Sequence, residues 1–140
     1  MLVLQEINII KYNKNMLDIE DFRKKLDIKS RLMGIDPGKK RVGIAISDEN
    51  KVVATPYTTI IKNKYSNFIA EIKKIVEDNQ IKGIVVGNPI NMDGTPSQSS
   101  QSAKDLAINL SKDVTENITL WDERLSSQGA FNLSSDLTSN

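Results

Sequence analysis

A chain of 140 residues, 39% hydrophobic and with a formal net charge of +1, has the size of one domain, can build a core, and carries no bulk charge that would draw it to nucleic acid or membrane. It contains no Cys and no His. Disulfides, thiol catalysis, Ser-His-Asp chemistry and His- or Cys-held zinc are therefore excluded, and carboxylates holding Mg²⁺ or Mn²⁺ are the simplest catalytic site such a chain can make.

In chain order, residues 1–30 stand apart as an N-terminal extension. Gln5, Glu6 and Lys11 interrupt its apolar stretches, which makes it a poor signal peptide. No run approaches the roughly 18 apolar residues that span a bilayer. A cytoplasmic protein without membrane contact is expected. Asp18 is placed to cap a short helix over 19–26, with Phe22 and Leu26 on one face.

From residue 31 to 140 the pattern is that of one α/β domain. Residues 32–36 are apolar and short, as a central strand should be. Val42, Ile44 and Ile46 alternate in a second strand. Asp48-Glu49-Asn50 reads as a turn, and residues 51–55 as a third strand that Pro56 ends. Phe68, Ile69, Ile72, Ile75 and Val76 recur at helical spacing over 65–79. A buried strand follows at 81–87, a Pro- and Gly-bearing loop at 88–97, a helix at 97–111, a fifth strand at 117–121, and a last helix from Ser126 or Ser127 to about Leu133. A meander of three strands followed by strands alternating with helices implies a mixed five-stranded sheet, β1 to β3 antiparallel and β4 and β5 parallel, flanked by helices.

Three polar segments follow the first, fourth and fifth strands. The first holds Asp36, Gly38, Lys39, Lys40, Arg41 and Gly43. Asp-Pro-Gly is ordinary turn chemistry, but an acid at a strand end followed by cations also suits a metal ion and a phosphate. The glycines would let a phosphate backbone approach. The second segment offers Asn88, Asn91 and Asp93, which double as common turn residues. The third is Asp122-Glu123-Arg124. Asp122 and Glu123 point in opposite directions if extended, so one of the two faces a cleft. Arg124 suits a bidentate phosphate contact; the bland alternative is an acidic helix start. If the three strands are neighbours, the segments converge, and carboxylates brought together repel unless a cation lies between them.

Together, Gly34-Ile35-Asp36-x-Gly38…Arg41-x-Gly43-x-Ala45, Val85-Val86-Gly87-x-Pro89-x-Asn91-Met92-Asp93-Gly94-Thr95 and Asp122-Glu123-Arg124-Leu125-Ser126 resemble the YqgF/RuvX family over residues 31 to about 131. The resemblance implies an RNase H-like fold and a Holliday-junction-resolvase-like nuclease. The expected function is metal-dependent hydrolysis of phosphodiester bonds in maturing the 5′ end of pre-16S rRNA. It implies Mg²⁺ or Mn²⁺ on Asp36 and Glu123, with Asp122 as the other candidate acid. Lys39, Lys40, Arg41, Asn88, Asn91, Asp93 and Arg124 are the expected substrate contacts. The partner would be a ribosomal RNA precursor or branched nucleic acid, bound by a monomer or homodimer. Two departures stand out. Lys39 occupies a position that is usually Thr or Ser in the family, and the family's further catalytic Asp, at the start of a C-terminal helix, has no counterpart. The domain is thus expected to lack that helix, as if truncated at its C-terminus. The competing expectation is a non-catalytic RNA or Holliday-junction binding module. An actin-like nucleotide site ranks third, because the chain is too short for two lobes.

Overall fold

The computed structural model describes residues 14–89, 93 and 98–122. Its elements are α1 (Ile19–Lys24), β1 (Arg31–Pro37), β2 (Arg41–Ser47), β3 (Ala54–Ile61), α2 (Tyr65–Asp78), β4 (Ile81–Asn88), α3 (Gln98–Asp113) and β5 (Asn117–Asp122). The strands form one sheet in the order β3-β2-β1-β4-β5. β1 runs antiparallel to β2 and parallel to β4, and β4 runs parallel to β5. The mixed sheet is thus the one the sequence pattern implies. The last helix expected near Ser126 lies outside the described residues.

Period-two alternation sorts the side chains onto two unlike faces. On one face Met33, Ile35, Val42, Ile44, Ile46, Ile84, Val86 and Ile118 pack against Phe68, Ile72, Ile75 and Val76 of α2 and Ala103, Ala107 and Leu110 of α3. Spacings of three and four residues put these helical side chains on one stripe. Tyr65, near the start of α2, donates its hydroxyl to the Asp113 carboxylate at the end of α3, at 2.8 Å. Burial first, and then Asp113, pushes the phenol up from its usual value.

The opposite face carries Leu32, Gly34, Asp36, Gly43, Ala45, Gly83, Val85, Gly87 and Trp121 in the same alternation. Its lower half is covered by α1. Phe22 is fully buried in a second cluster with Leu32, Val85 and Trp121, and Leu17, Ile19 and Leu26 pack at its margin. Asp18 accepts the Asp21 amide at 2.8 Å, the expected N-cap. Phe22 fits because Gly83 lies beneath it: a Cβ there would stand 2.6 Å from Phe22 Cζ. The segment before α1 also adds to the β5 edge. Asn15 and Leu17 exchange backbone hydrogen bonds with Ile118, and the Asn15 amide donates to the carbonyls of Val114 and Glu116 at 2.9 Å.

The turn between β2 and β3 ties the chain before β1 to the sheet. Asp48 accepts the amides of Val53 and Val52, and these bonds, that of Val53 above all, hold its carboxyl below the usual range. Lys51 adopts φ 59, is nearly buried, and donates Nζ to the carbonyl of Ile28 at 2.8 Å and of Asp27 at 3.3 Å. This turn corrects one expectation. The third strand begins at Ala54, not Lys51, and runs through Pro56 to Ile61. Pro56 is tolerated because β3 is an edge strand and because a register shift falls there: Ala45 pairs with Pro56 and Ile44 with Thr58, which leaves Tyr57 unopposed as a bulge.

Candidate active site

β1, β4 and β5 are adjacent and parallel, so their carboxyl ends lie side by side. Open α/β sheets carry ligands at such ends. Asp36, Asn88 and Asp122 lie at these ends, so the three strands are neighbours as the expected convergence required. The strands alone do not make them equivalent, because their side chains divide between the two faces.

Asp36 stands exposed on the face that α1 leaves bare. Beside it on β2 is Gly43, where an added Cβ would lie 3.6 Å from Asp36 Cβ. Val86 pairs with Ile35, so Gly87 is the β4 neighbour of Asp36, and Gly87 in turn pairs with Trp121. Gly34, Gly43, Ala45 and Gly87 floor a cavity of about 390 Å³, with Asp36, Thr58 and Thr59 at its margin. Side chains of this size let a bulky ligand lie directly on the sheet. Val85, which also lines the cavity, packs with Phe22 of α1.

Asn88 and Asp122 pair with each other and fall on the helix-bearing face. Asn88 is buried, and its Oδ1 accepts from the Ser100 hydroxyl of α3 at 2.9 Å. This bond anchors the first turn of α3 to the end of β4. Asp122 therefore projects away from Asp36. Trp121, on the face of Asp36, lies two strands away from it, roughly 10 Å at the usual strand spacing. Asp93 is an exposed turn residue. Asn91, Glu123 and Arg124 lie outside the described residues. Among the described residues no group of three or more acids is close enough to hold a metal ion together.

The cations after Asp36 form the β1–β2 turn. The Gly38 amide donates to the Arg41 carbonyl at 2.9 Å, and Lys39 and Lys40 occupy the exposed tip. Gly38 is required on steric grounds, since a Cβ would meet the Arg41 carbonyl oxygen at 2.5 Å. The Lys62 amide donates to the Lys40 carbonyl at 2.9 Å, fixing the turn to the chain that leaves β3. Lys62 and Lys64 thereby join this end of the sheet. Their Lys-Asn-Lys sequence was visible, but its proximity to Lys40 depends on strand pairing that no local pattern states.

The family model described as "RuvX: Holliday junction resolvase" matches residues 30–139. The chain belongs to the RuvX family. A relative from Pelagibacter ubique named "Putative pre-16S rRNA nuclease" is 51% identical over 125 residues, 89% of this chain and 83% of that protein. One of the same name from Rhodobacter capsulatus is 42% identical over 112 residues, 80% of this chain and 70% of its own. Among solved structures, Thermus thermophilus RuvC in complex with Holliday junction substrate is similar with a TM-score of 0.51 at 11% identity, covering 71% of this chain and 68% of that one. At such identity the likeness establishes the fold, which is RNase H-like. The RuvX match begins at residue 30, so α1 and its Phe22 lie before the matched region.

Proposed function

We propose that this RuvX chain is a metal-dependent nuclease that hydrolyses phosphodiester bonds in maturing the 5′ end of a 16S rRNA precursor in the cytoplasm. The observation that carries this reading is Asp36: an exposed carboxylate on the bare half of an RNase H-like sheet, floored by glycines and bordered by an unneutralised basic turn. The donor chemistry fits a hard divalent cation, since the chain has neither His nor Cys to offer. Mg²⁺ or Mn²⁺ would be held by Asp36 and Glu123. Strand alternation favours Glu123 over Asp122, because Asp122 shares the parity of Asn88 and the next residue of an extended chain takes that of Trp121.

When bound, the cation would activate water and stabilise charge on the reacting phosphate. The chain's own residues do the rest. Asp36 fixes the position of attack relative to the sheet. The glycine floor lets the sugar-phosphate backbone lie close enough to reach it. Lys39, Lys40, Arg41 and Arg124 would orient the phosphates, with Asn91 and Asp93 as further substrate contacts. No helix among the described residues is long and apolar enough to cross a membrane.

A second reading, a binding module for RNA or Holliday junctions without catalysis, draws on the exposed cations of the β1–β2 turn, which would hold phosphates whether or not cleavage follows. One experiment separates the two. A labelled fragment spanning the 5′ end of pre-16S rRNA is incubated with wild type and Asp36→Asn in Mg²⁺ and in Mn²⁺. The nuclease reading expects cleavage by wild type and a loss of at least about 100-fold in the variant, since even outer-shell partners of a metal are worth about 10–100-fold. Binding without cleavage by wild type supports the module, and equal cleavage by both removes Asp36 from the chemistry.

A further inference from the structure

The chain is nearly neutral as a whole, yet its charge is not evenly spread. Residues 37–47 and 54–70 together contain Lys39, Lys40, Arg41, Lys62 and Lys64 and no acid. The fold brings the two stretches together: Arg41 pairs with Ile61, and the Lys62 amide donates to the Lys40 carbonyl. All five cations are exposed. None has an acidic partner among the described residues, in contrast to Lys74, which pairs with Asp78 at 3.1 Å.

We infer that Lys62 and Lys64 are phosphate-binding residues that extend the nucleic-acid track from Asp36 toward the β3 edge of the sheet. This rests on the nuclease reading and adds to it the direction in which the substrate leaves the site. β1 and β3 are two strand spacings apart, about 10 Å. One strand of a duplex carries a phosphate every ~3.4 Å of helix axis, so a gap of this size spans no more than a few nucleotides. A backbone with one phosphate beside Asp36 can therefore reach the Lys39–Lys40 turn and the Lys62–Lys64 segment within a few nucleotides. Lysines without internal partners are available to neutralise phosphates, and each phosphate so neutralised releases counterions condensed on the nucleic acid, which drives binding. Exposed Tyr65 follows Lys64 directly as the first residue of α2, and its ring lies 6.2 Å from that of Phe68, one turn along the same helix.

The test measures equilibrium binding of a duplex RNA fragment from the 5′ end of pre-16S rRNA, in EDTA so that cleavage does not interfere, across a salt series. Wild type is compared with Lys62→Gln/Lys64→Gln and with Lys73→Gln/Lys82→Gln. The second pair lines a groove at the other end of β4 and controls for the loss of two charges as such. Two lost phosphate contacts should reduce the log–log salt slope by about 1.8 and weaken binding about 50-fold near 0.1 M salt. The control pair should change neither by more than about a quarter of that. Wild-type slope and affinity in Lys62→Gln/Lys64→Gln overturn the inference while leaving the nuclease reading in place, as does an equal loss in both pairs. No binding by wild type overturns both.

Discussion

The two faces of the sheet are built from the same five strands and differ in almost every other respect. One is lined with branched aliphatics and covered by α2 and α3. The other carries Leu32, Val85 and Trp121 under the six-residue α1 and, on its uncovered half, Gly34, Gly43, Ala45 and Gly87 beside the exposed Asp36. In a strand each residue must choose a face, so Ile35 and Asp36, or Asn88 and Gly87, serve opposite ends although they are neighbours in sequence. The covered face holds the fold together. The bare half-face leaves room for a polymer and places an acid beside it.

The boundary between covered and bare is set by Phe22, so removing its ring should disturb the division more than any other single change. Phe22→Ala empties a fully buried site over Leu32, Val85 and Trp121. It should destabilise the chain by about 3–5 kcal/mol in urea unfolding. A loss below about 1 kcal/mol would mean that α1 rests on the sheet without holding it.

The same boundary is sharpened from beneath by Gly83→Ala. Its new Cβ would lie 2.6 Å from Phe22 Cζ and 3.0 Å from Leu32 Cδ2, so the ring must lift. Destabilisation of about 1–3 kcal/mol is expected. In the double variant with Phe22→Leu the two costs should fall short of their sum, because one side chain occupies the space the other needs. Strict additivity would show that Phe22 and Gly83 are not in contact in solution.

Much of this division was legible in the sequence. The helical stripes of α2 and α3 and the alternation of Val42, Ile44 and Ile46 were readable because each is a short-range period. Asp36 stood out as a candidate because an acid between a buried strand and a basic turn suits a metal ion and a phosphate, although Asp-Pro-Gly serves equally as an ordinary turn. The path of β3 was not, since Pro56 normally ends a strand and only the edge position with its bulge makes it harmless. The role of Phe22 was also hidden. A short amphipathic helix shows that something is buried, but not that Gly83, some sixty residues on, provides the hole. For the same reason Asn88 looked like a substrate contact, while its bond to Ser100 gives it a place in the framework.

Titration with Mn²⁺, followed by the loss of the free ion's magnetic resonance signal, tests most directly whether chemistry belongs to the bare face. Wild type, Asp36→Asn and Asp122→Asn are compared. Wild type and Asp122→Asn should bind with similar affinity, and Asp36→Asn should bind at least about 10-fold more weakly. Undiminished binding by Asp36→Asn, or a loss confined to Asp122→Asn, would contradict the assignment of the metal to the bare face.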